Sequence, residues 1–214
     1  MSRYVPWDST LGGMAVRHGV TQRAVQQAGT LGKLAPLRRV GKAYLVDDLA
    51  AQAWMRSSSR RRRWSAVVRE AALDLLTSGT TRLISGPEKS RLARRLRIMD
   101  ARGIAHASGG LGIWARYSTV GSASLDAIGP SAVAMSELGI LEGESWLSFG
   151  RTEDLDAFEA EHDVILSADG NLGVVGRSEP DNRLARVLLD AYMLGDARVS
   201  AAAAVRLEEC ASAL

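Results

Sequence analysis

The chain has 214 residues, which is long enough for one large domain or two small ones, each with a buried core. Its 46% apolar and 24% charged residues are ordinary for a soluble globular protein, and its net charge is +3. The sequence lacks both an apolar run of the roughly 18 residues that a membrane span needs and the apolar region of a signal peptide, and its single cysteine excludes an internal disulfide. We therefore expect a cytoplasmic protein without membrane contact.

The first organised stretch covers residues 14–28 and has the pattern of two short helices joined by a tight turn. Gly19 lies at the corner, where a positive φ is needed, and the hydroxyl of Thr21 can cap the second helix. This pattern is typical of a helix-turn-helix, although a plain αα-hairpin has it too. The side chains expected to pack between the two helices are Met14, Ala15, His18, Val20, Val25 and Ala28.

The second of these helices should carry a polar row on the side that faces away from the first. In helix-turn-helix proteins the second helix enters the major groove, and its N-terminal residues meet base edges. There glutamine suits adenine and arginine suits guanine. The sequence therefore predicts five base-reading residues, Thr21, Gln22, Arg23, Gln26 and Gln27.

Two short strand-like runs, Leu37–Val40 and Ala43–Val46, follow on either side of a glycine-containing turn. This pattern predicts a β-hairpin, and a basic hairpin directly after a helix-turn-helix indicates a wing. Asp47 or Asp48 should cap a further helix over residues 49–56. A run of four arginines comes next, in a polar segment that is either a solvated linker or an arm that contacts DNA. The predicted phosphate contacts are Arg17, Arg38, Arg39, Lys42, Arg60, Arg61, Arg62 and Arg63.

Three runs within residues 8–56 carry a family resemblance: residues 19–25, 32–34 and 39–47. As a set they resemble the winged-helix DNA-binding domain of the excisionase and MerR-like family, in which a Gly-Val-Ser-x-Arg-x-Val phrase, a Gly-x-Leu phrase and a Val-Gly-x-x-Trp/Tyr phrase recur. The segment between Ala28 and Leu37 is slightly longer than in that family. The resemblance implies a winged helix-turn-helix that binds a double-stranded operator.

Beyond residue 63 the sequence predicts a mixed region, which makes the whole chain α+β. Helices are expected from Trp64 and from Ser85 onward, and two glycine-rich or Asp-Gly turns indicate hairpins. The further predicted elements are strands at 104–106 and 113–120, helical segments at 122–128 and 130–138, a strand at 145–149, a helix at 153–162 capped by Thr152, strands at 164–166 and 172–175, and helices at 182–193 and 197–213. The predicted organisation is a winged helix-turn-helix domain at 1–56, a linker at 57–63 and a partner-binding domain at 64–214.

Charge is divided unevenly along the chain. Residues 1–102 carry 20 basic and seven acidic side chains, a net charge of +13, and residues 103–214 carry seven and 17, a net charge of −10. A basic half attracts the phosphate backbone by releasing condensed counterions, whereas an acidic half is repelled by it. We therefore expect DNA on the first half and a different partner on the second.

The sequence contains no pattern typical of an enzyme, a cofactor site or a metal site. His162 has acidic neighbours, but residues 159, 161 and 163 do not share a helix face. Residues 109–112 lack the strand-to-helix context of a phosphate loop, and no serine lies in a nucleophile elbow. We therefore expect a binding protein that is not an enzyme and has no catalytic residues, cofactor or metal.

A second resemblance concerns residues 71–76, 84–92 and 94–96 together with the closing helix around residues 201–207. These phrases are similar to a group of actinobacterial two-domain regulators, whose members resemble antitoxins of abortive-infection modules with a nucleotidyltransferase-like toxin. The resemblance implies a repressor of its own operon, acting as a homodimer or in pairs on repeated sites, that also controls a cognate toxin. Two alternatives stay open: an excisionase-like or other regulator without a toxin, and a metal-dependent enzyme acting on nucleic acid.

Overall fold

The computed structural model describes residues 9–31, 33–34, 37–59, 62–120, 124–133, 138–139, 147–167, 169–177, 181 and 183–214, without the side chains of Ser9 and Arg38. These residues form a mixed α+β protein, as the sequence predicts. They fall into two compact units that each combine separate parts of the chain. The first unit is drawn from residues 1–55, 112–126 and 146–178, and the second from residues 56–111, 127–145 and 179–214.

Within the described residues there are nine α-helices and two sheets. The helices are α1 (Leu11–Arg17), α2 (Gln22–Thr30), α3 (Asp48–Ser57), α4 (Ala66–Ser78), α5 (Gly86–Arg97), α6 (Ala101–Ala107), α7 (Leu155–Glu161), α8 (Leu184–Leu194) and α9 (Ala197–Ser212). The strands are β1 (Ser9–Thr10), β2 (Leu37–Val40), β3 (Ala43–Val46), β4 (Ile113–Thr119), β5 (Asp126–Ala127), β6 (Ser148–Thr152), β7 (Val164–Leu166) and β8 (Leu172–Gly176), and Gly129–Ser131 is a short 3-10 helix.

The N-terminal part of the first unit contains α1, α2 and a three-stranded sheet with strand order β1-β3-β2. The predicted hairpin is confirmed, because β2 and β3 are antiparallel and Val40 lies opposite Ala43 at the turn. Gly41 occupies that turn with a φ of 59°, a conformation that favours glycine. The predicted third helix also forms, and Asp47 caps it by accepting hydrogen bonds from the backbone N–H groups of Leu49 at 2.6 Å and Ala50 at 3.1 Å.

The remainder of the first unit is a five-stranded sheet with strand order β5-β6-β8-β4-β7. Strand β4 is antiparallel to both β8 and β7, whereas β6 and β8 are parallel. Helix α7 packs on this sheet through Phe158, whose ring lies 5.5 Å from that of Tyr117 in an edge-on arrangement. This cluster, completed by Ala115, Leu172 and Val174, excludes water from that face of the sheet.

The second unit is helical. Helices α8 and α9 form a pair, and α4, α5 and α6 pack around it through side chains that are almost completely buried, among them Leu73, Leu96, Ile104, Leu188 and Met193. The 3-10 helix approaches α8 closely, because a Cβ on Gly129 would lie 2.9 Å from the backbone carbonyl carbon of Asp190. In the part of the chain that the structure describes, no helix is long and apolar enough to cross a membrane.

The strand predicted at residues 104–106 is wrong. These residues lie in α6, whose first turn is capped by Asp100, because its Oδ1 accepts a hydrogen bond from the N–H of Gly103 at 2.8 Å. Ile104, Ala105 and His106 are all buried, so the run has no alternation that would distinguish a strand from a buried helix. The hairpin predicted around the glycine cluster is therefore absent; Gly109 and Gly110 follow the end of α6 with positive φ.

The hairpin predicted for residues 164–175 is wrong as well. Both strands form, but β4 lies between them, so the Asp-Gly segment joins strands that do not pair with each other. A turn signal indicates only that the chain reverses. Here β4, which ends 45 residues before β7 begins, lies between the two strands, with Ile113 opposite Gly176 and Tyr117 opposite Leu166.

Smaller differences concern the segments around β5 and β6. Residues 126 and 127 form a strand where a helical segment was expected, and in the segment expected at 130–138 the 3-10 helix ends at Ser131. Residues 121–123 and 134–137 lie outside the described residues. The strand expected at 145–149 is found at Ser148–Thr152, and α7 is capped by Asp154 rather than Thr152, because its Oδ1 accepts a hydrogen bond from the N–H of Asp156 at 2.8 Å.

Candidate nucleic-acid interface

Helices α1 and α2 pack through small and apolar side chains at the predicted positions. Met14, Ala15, Val25 and Ala28 are buried, with Met14 and Val25 fully so, whereas the other two predicted members, His18 and Val20, are half-buried. The corner has the predicted conformation, since Gly19 has a φ of 62°. The N–H of Val20 then donates to the carbonyl of Ala15 at 3.0 Å, which closes the turn between the helices.

Helix α2 begins as predicted and separates its two faces. The hydroxyl oxygen of Thr21 accepts a hydrogen bond from the N–H of Ala24 at 3.2 Å, which satisfies one free donor of the first turn. The structure places four of the five predicted base-reading residues on this one short helix and the fifth, Thr21, at its N-cap, and all of them are exposed: Thr21, Gln22, Arg23, Gln26 and Gln27.

The basic hairpin presents a mixed surface. Arg39 and Lys42 are exposed, and the Nε of Arg39 donates to the carbonyl of Gly41 at 3.2 Å, which orients the guanidinium over the turn. The side chain of Arg38 lies outside the described part of the structure. Sequence reasoning did not single out Val40 and Tyr44, which are 52% and 46% exposed on the same hairpin. Their signal was available, because each is a large side chain within two residues of the turn at Gly41 and Lys42.

The remaining predicted phosphate contacts have different surroundings. Arg17 pairs with Asp48 at 3.2 Å, but its side chain stays 59% exposed, so most of its donors face solvent. Arg62 and Arg63 are exposed and belong to neither a helix nor a strand. Arg60 and Arg61 lie outside the described residues.

A buried ion pair anchors the end of the hairpin and was not predicted from the sequence. The Nη1 of Arg116 lies 2.5 Å from Oδ2 of Asp47, and the Nε of Arg116 donates to the carbonyl of Gly170 at 2.8 Å. Asp47 directly follows β3, so the pair joins the strand that carries the hairpin to β4 of the five-stranded sheet. The available signal was a single arginine within the otherwise uncharged run of β4.

Acidic side chains of the second unit converge on an arginine. The guanidinium of Arg183 contacts Asp74 and Asp181, each at 2.7 Å, and Glu70. The hydrogen bonds that Arg183 donates to Asp181 are the main cause that raises the pKa of Arg183, so the carboxylates face a permanently charged cation. Across the residues that the structure describes, no three His, Cys, Asp or Glu side chains are grouped so that they could hold a metal ion.

The polar row of α2 and the basic hairpin thus belong to one compact unit, and that unit also contains the acidic segment around α7. Arginine and glutamine are the side chains that most often read guanine and adenine in the major groove, and basic hairpin residues can reach the adjoining phosphates. Comparison of the chain with protein-family models, with curated proteins and with solved structures found no match.

Proposed function

We propose that this chain is a sequence-specific DNA-binding regulator whose N-terminal residues act as a winged helix-turn-helix. One observation carries the proposal. Helix α2 buries Val25 and Ala28 against α1, while five side chains able to hydrogen-bond base edges are exposed along the same two and a half turns. A helical hairpin with a purely structural role has no need of a row that contains three glutamines, an arginine and a threonine.

The chemistry of these side chains assigns base contacts to one group of residues and phosphate contacts to another. Arg23 can bind O6 and N7 of guanine with two hydrogen bonds, and a glutamine such as Gln27 can bind N6 and N7 of adenine, each worth about 1–3 kcal/mol of discrimination. Arg39 and Lys42, together with Arg62 and Arg63, are suited to phosphate contacts, which fix the orientation of the protein but carry no sequence information.

The acidic half of the chain supports a second contact, with a protein. Within that half, residues 152–176 carry seven acidic side chains and no basic one, which disfavours contact with DNA at that segment. Together with the resemblance to antitoxins of abortive-infection modules, it favours a repressor of its own operon that binds a cognate toxin and acts as a homodimer or in pairs on repeated sites. A regulator without a toxin is the alternative. A metal-dependent enzyme is disfavoured, because the carboxylates that converge in the second unit already surround the guanidinium of Arg183 in place of a metal ion.

The DNA-binding proposal can be tested by gel shift on the DNA upstream of the chain's own gene. The full chain should bind this fragment more tightly than a random fragment of equal length, and Arg23→Ala with Gln27→Ala should reduce that preference by about tenfold or more. Arg198→Ala is the matched control, because it removes an exposed arginine of α9, far along the chain from the proposed interface.

Salt dependence separates the two kinds of contact. Arg39→Ala with Lys42→Ala should weaken binding to both fragments and lower the slope of log affinity against log salt by about 0.9 per contact removed. An equal loss of affinity for both fragments in the α2 variants would mean that α2 does not read bases.

The toxin hypothesis is tested separately, by asking whether the neighbouring gene encodes a nucleotidyltransferase.

A further inference from the structure

Strand β7 is an exposed edge of the five-stranded sheet. It lies at the end of the strand order and, among the described residues, pairs with β4 alone. Its three residues are Val164, Ile165 and Leu166, and the last two are 70% and 54% exposed. Sheet edges are normally protected by lysine, proline or a bulge. The Val-Ile-Leu sequence of β7 contains neither lysine nor proline, so its short length of three residues is the protective feature that this edge has.

The backbone of β7 has an outward-facing donor at Leu166, for which the described residues show no acceptor. The N–H of Ser167 donates to the carbonyl of Arg116 on β4 at 2.9 Å, so Ser167 and Arg116 form a hydrogen-bonded pair of the ladder. In an antiparallel ladder the next residue along the strand turns its N–H and C=O to the other side. Leu166, opposite Tyr117, therefore directs these groups away from β4 and toward the open edge.

The surroundings of this edge are acidic. No lysine or arginine occurs between residues 152 and 176. One carboxylate lies on the strand next to this edge. The hydroxyl of Tyr117, a β4 residue opposite Leu166, donates a hydrogen bond to Glu159 at 2.8 Å. Three exposed carboxylates lie close to β7: Asp163 directly precedes the strand, Asp169 follows it by three residues, and Glu159 contacts Tyr117.

We infer that the β7 edge, meaning Val164–Leu166 with its open side, accepts an extended basic segment of a partner protein as an added strand. The open donor and acceptor of Leu166 supply main-chain hydrogen bonds, the exposed Ile165 and Leu166 supply apolar contacts, and the carboxylates select lysine or arginine in the incoming strand. A second copy of this chain fits less well, because pairing two β7 edges would bring two acidic segments together. DNA is repelled by the same charge.

This inference rests on the protein-partner half of the proposed function and is independent of the DNA-binding half. Its test uses two labelled peptides in fluorescence anisotropy titrations, one of alternating lysine and valine and one of alternating glutamate and valine. The full chain should bind the first at physiological ionic strength and bind the second at least tenfold more weakly.

Two variants at one position isolate the backbone donor. Leu166→Pro removes the outward N–H without removing a hydrogen bond to β4, and proline is tolerated at such positions of edge strands. Leu166→Ala removes the same side chain but keeps the N–H. We expect about tenfold weaker binding of the basic peptide to Leu166→Pro than to Leu166→Ala. In the unaltered chain the basic peptide should slow hydrogen exchange at the Leu166 amide.

Several results would overturn the inference: no binding of the basic peptide, equal affinity for the two peptides, equal affinity of the two variants, or unchanged exchange at Leu166. A dimer in size-exclusion chromatography that Leu166→Pro dissociates would identify a second copy as the occupant instead. Leu166→Pro should keep wild-type affinity for DNA in the gel shift, so that a failure of DNA binding and a failure of the β7 edge remain distinguishable.

Discussion

Asp47 and Arg116 form a buried ion pair, with 2.5 Å between Oδ2 and Nη1 and side-chain exposures of 0% and 1%. The other carboxylate oxygen of Asp47 caps α3. One carboxylate therefore connects the third helix, the end of the basic hairpin and the five-stranded sheet.

Breaking this pair should strongly destabilise the protein. Arg116→Met leaves the carboxylate of Asp47 buried without its cation, and we predict a loss of about 3–5 kcal/mol in the free energy of unfolding, measured by urea denaturation. The double variant Asp47→Asn with Arg116→Met should lose clearly less than the sum of the two single losses, because it leaves no unpaired charge. Additive losses would contradict a direct interaction.

The corner between α1 and α2 should tolerate only glycine well. Gly19→Ala meets no neighbouring atom, since nothing lies within 4 Å of the added Cβ, but it forces a φ of 62° on a residue with a side chain. We predict a destabilisation of about 1 kcal/mol in urea denaturation. Gly12→Ala is the control within α1, where φ is helical and alanine should stabilise the protein by about 0.5–1 kcal/mol. Equal effects of the two variants would contradict the proposed turn.

Acid should weaken the contact between Asp181 and Arg183. Burial raises the pKa of Asp181, but the hydrogen bonds and charge of Arg183 outweigh it and hold that pKa below the ordinary value of 3.8. A lowered carboxyl pKa contributes stability that is fully present above the ordinary value and is lost as the pH falls through the lower, folded-state value.

Asp181→Asn should therefore cost about 1 kcal/mol of unfolding free energy near neutral pH, a modest figure because both partners are partly exposed. The stabilities of the variant and the unaltered chain should converge as the pH falls below about 4, as measured by urea denaturation at a series of pH values. A difference that does not depend on pH would rule out this ionic contribution.

The elements that could be predicted from the sequence are those with local signals. Helix α2 starts where Thr21 can cap it, and the hairpin turns at Gly41, where a positive φ is needed. These features depend on neighbouring residues alone. The candidate interface was predicted for the same reason, since its row of polar side chains lies within one short helix.

The elements that could not be predicted depend on contacts between distant parts of the chain. Asp47 and Arg116 are 69 positions apart, and nothing in either local sequence identifies the other as its partner. The insertion of β4 between β7 and β8 is a matter of sheet order, which an Asp-Gly turn does not specify. Residues 104–106 form a short, wholly buried run, for which hydrophobic periodicity does not distinguish a strand from a helix.

Selection of bound sequences from a pool of random DNA duplexes, with the full chain, tests the central claim most directly. We predict enrichment of one discrete motif, and a repeat of the selection with Arg23→Ala should lose the preference at a single guanine while keeping the rest of the motif. Retention of DNA without any enriched motif, or the same motif for the variant, would contradict base reading by α2.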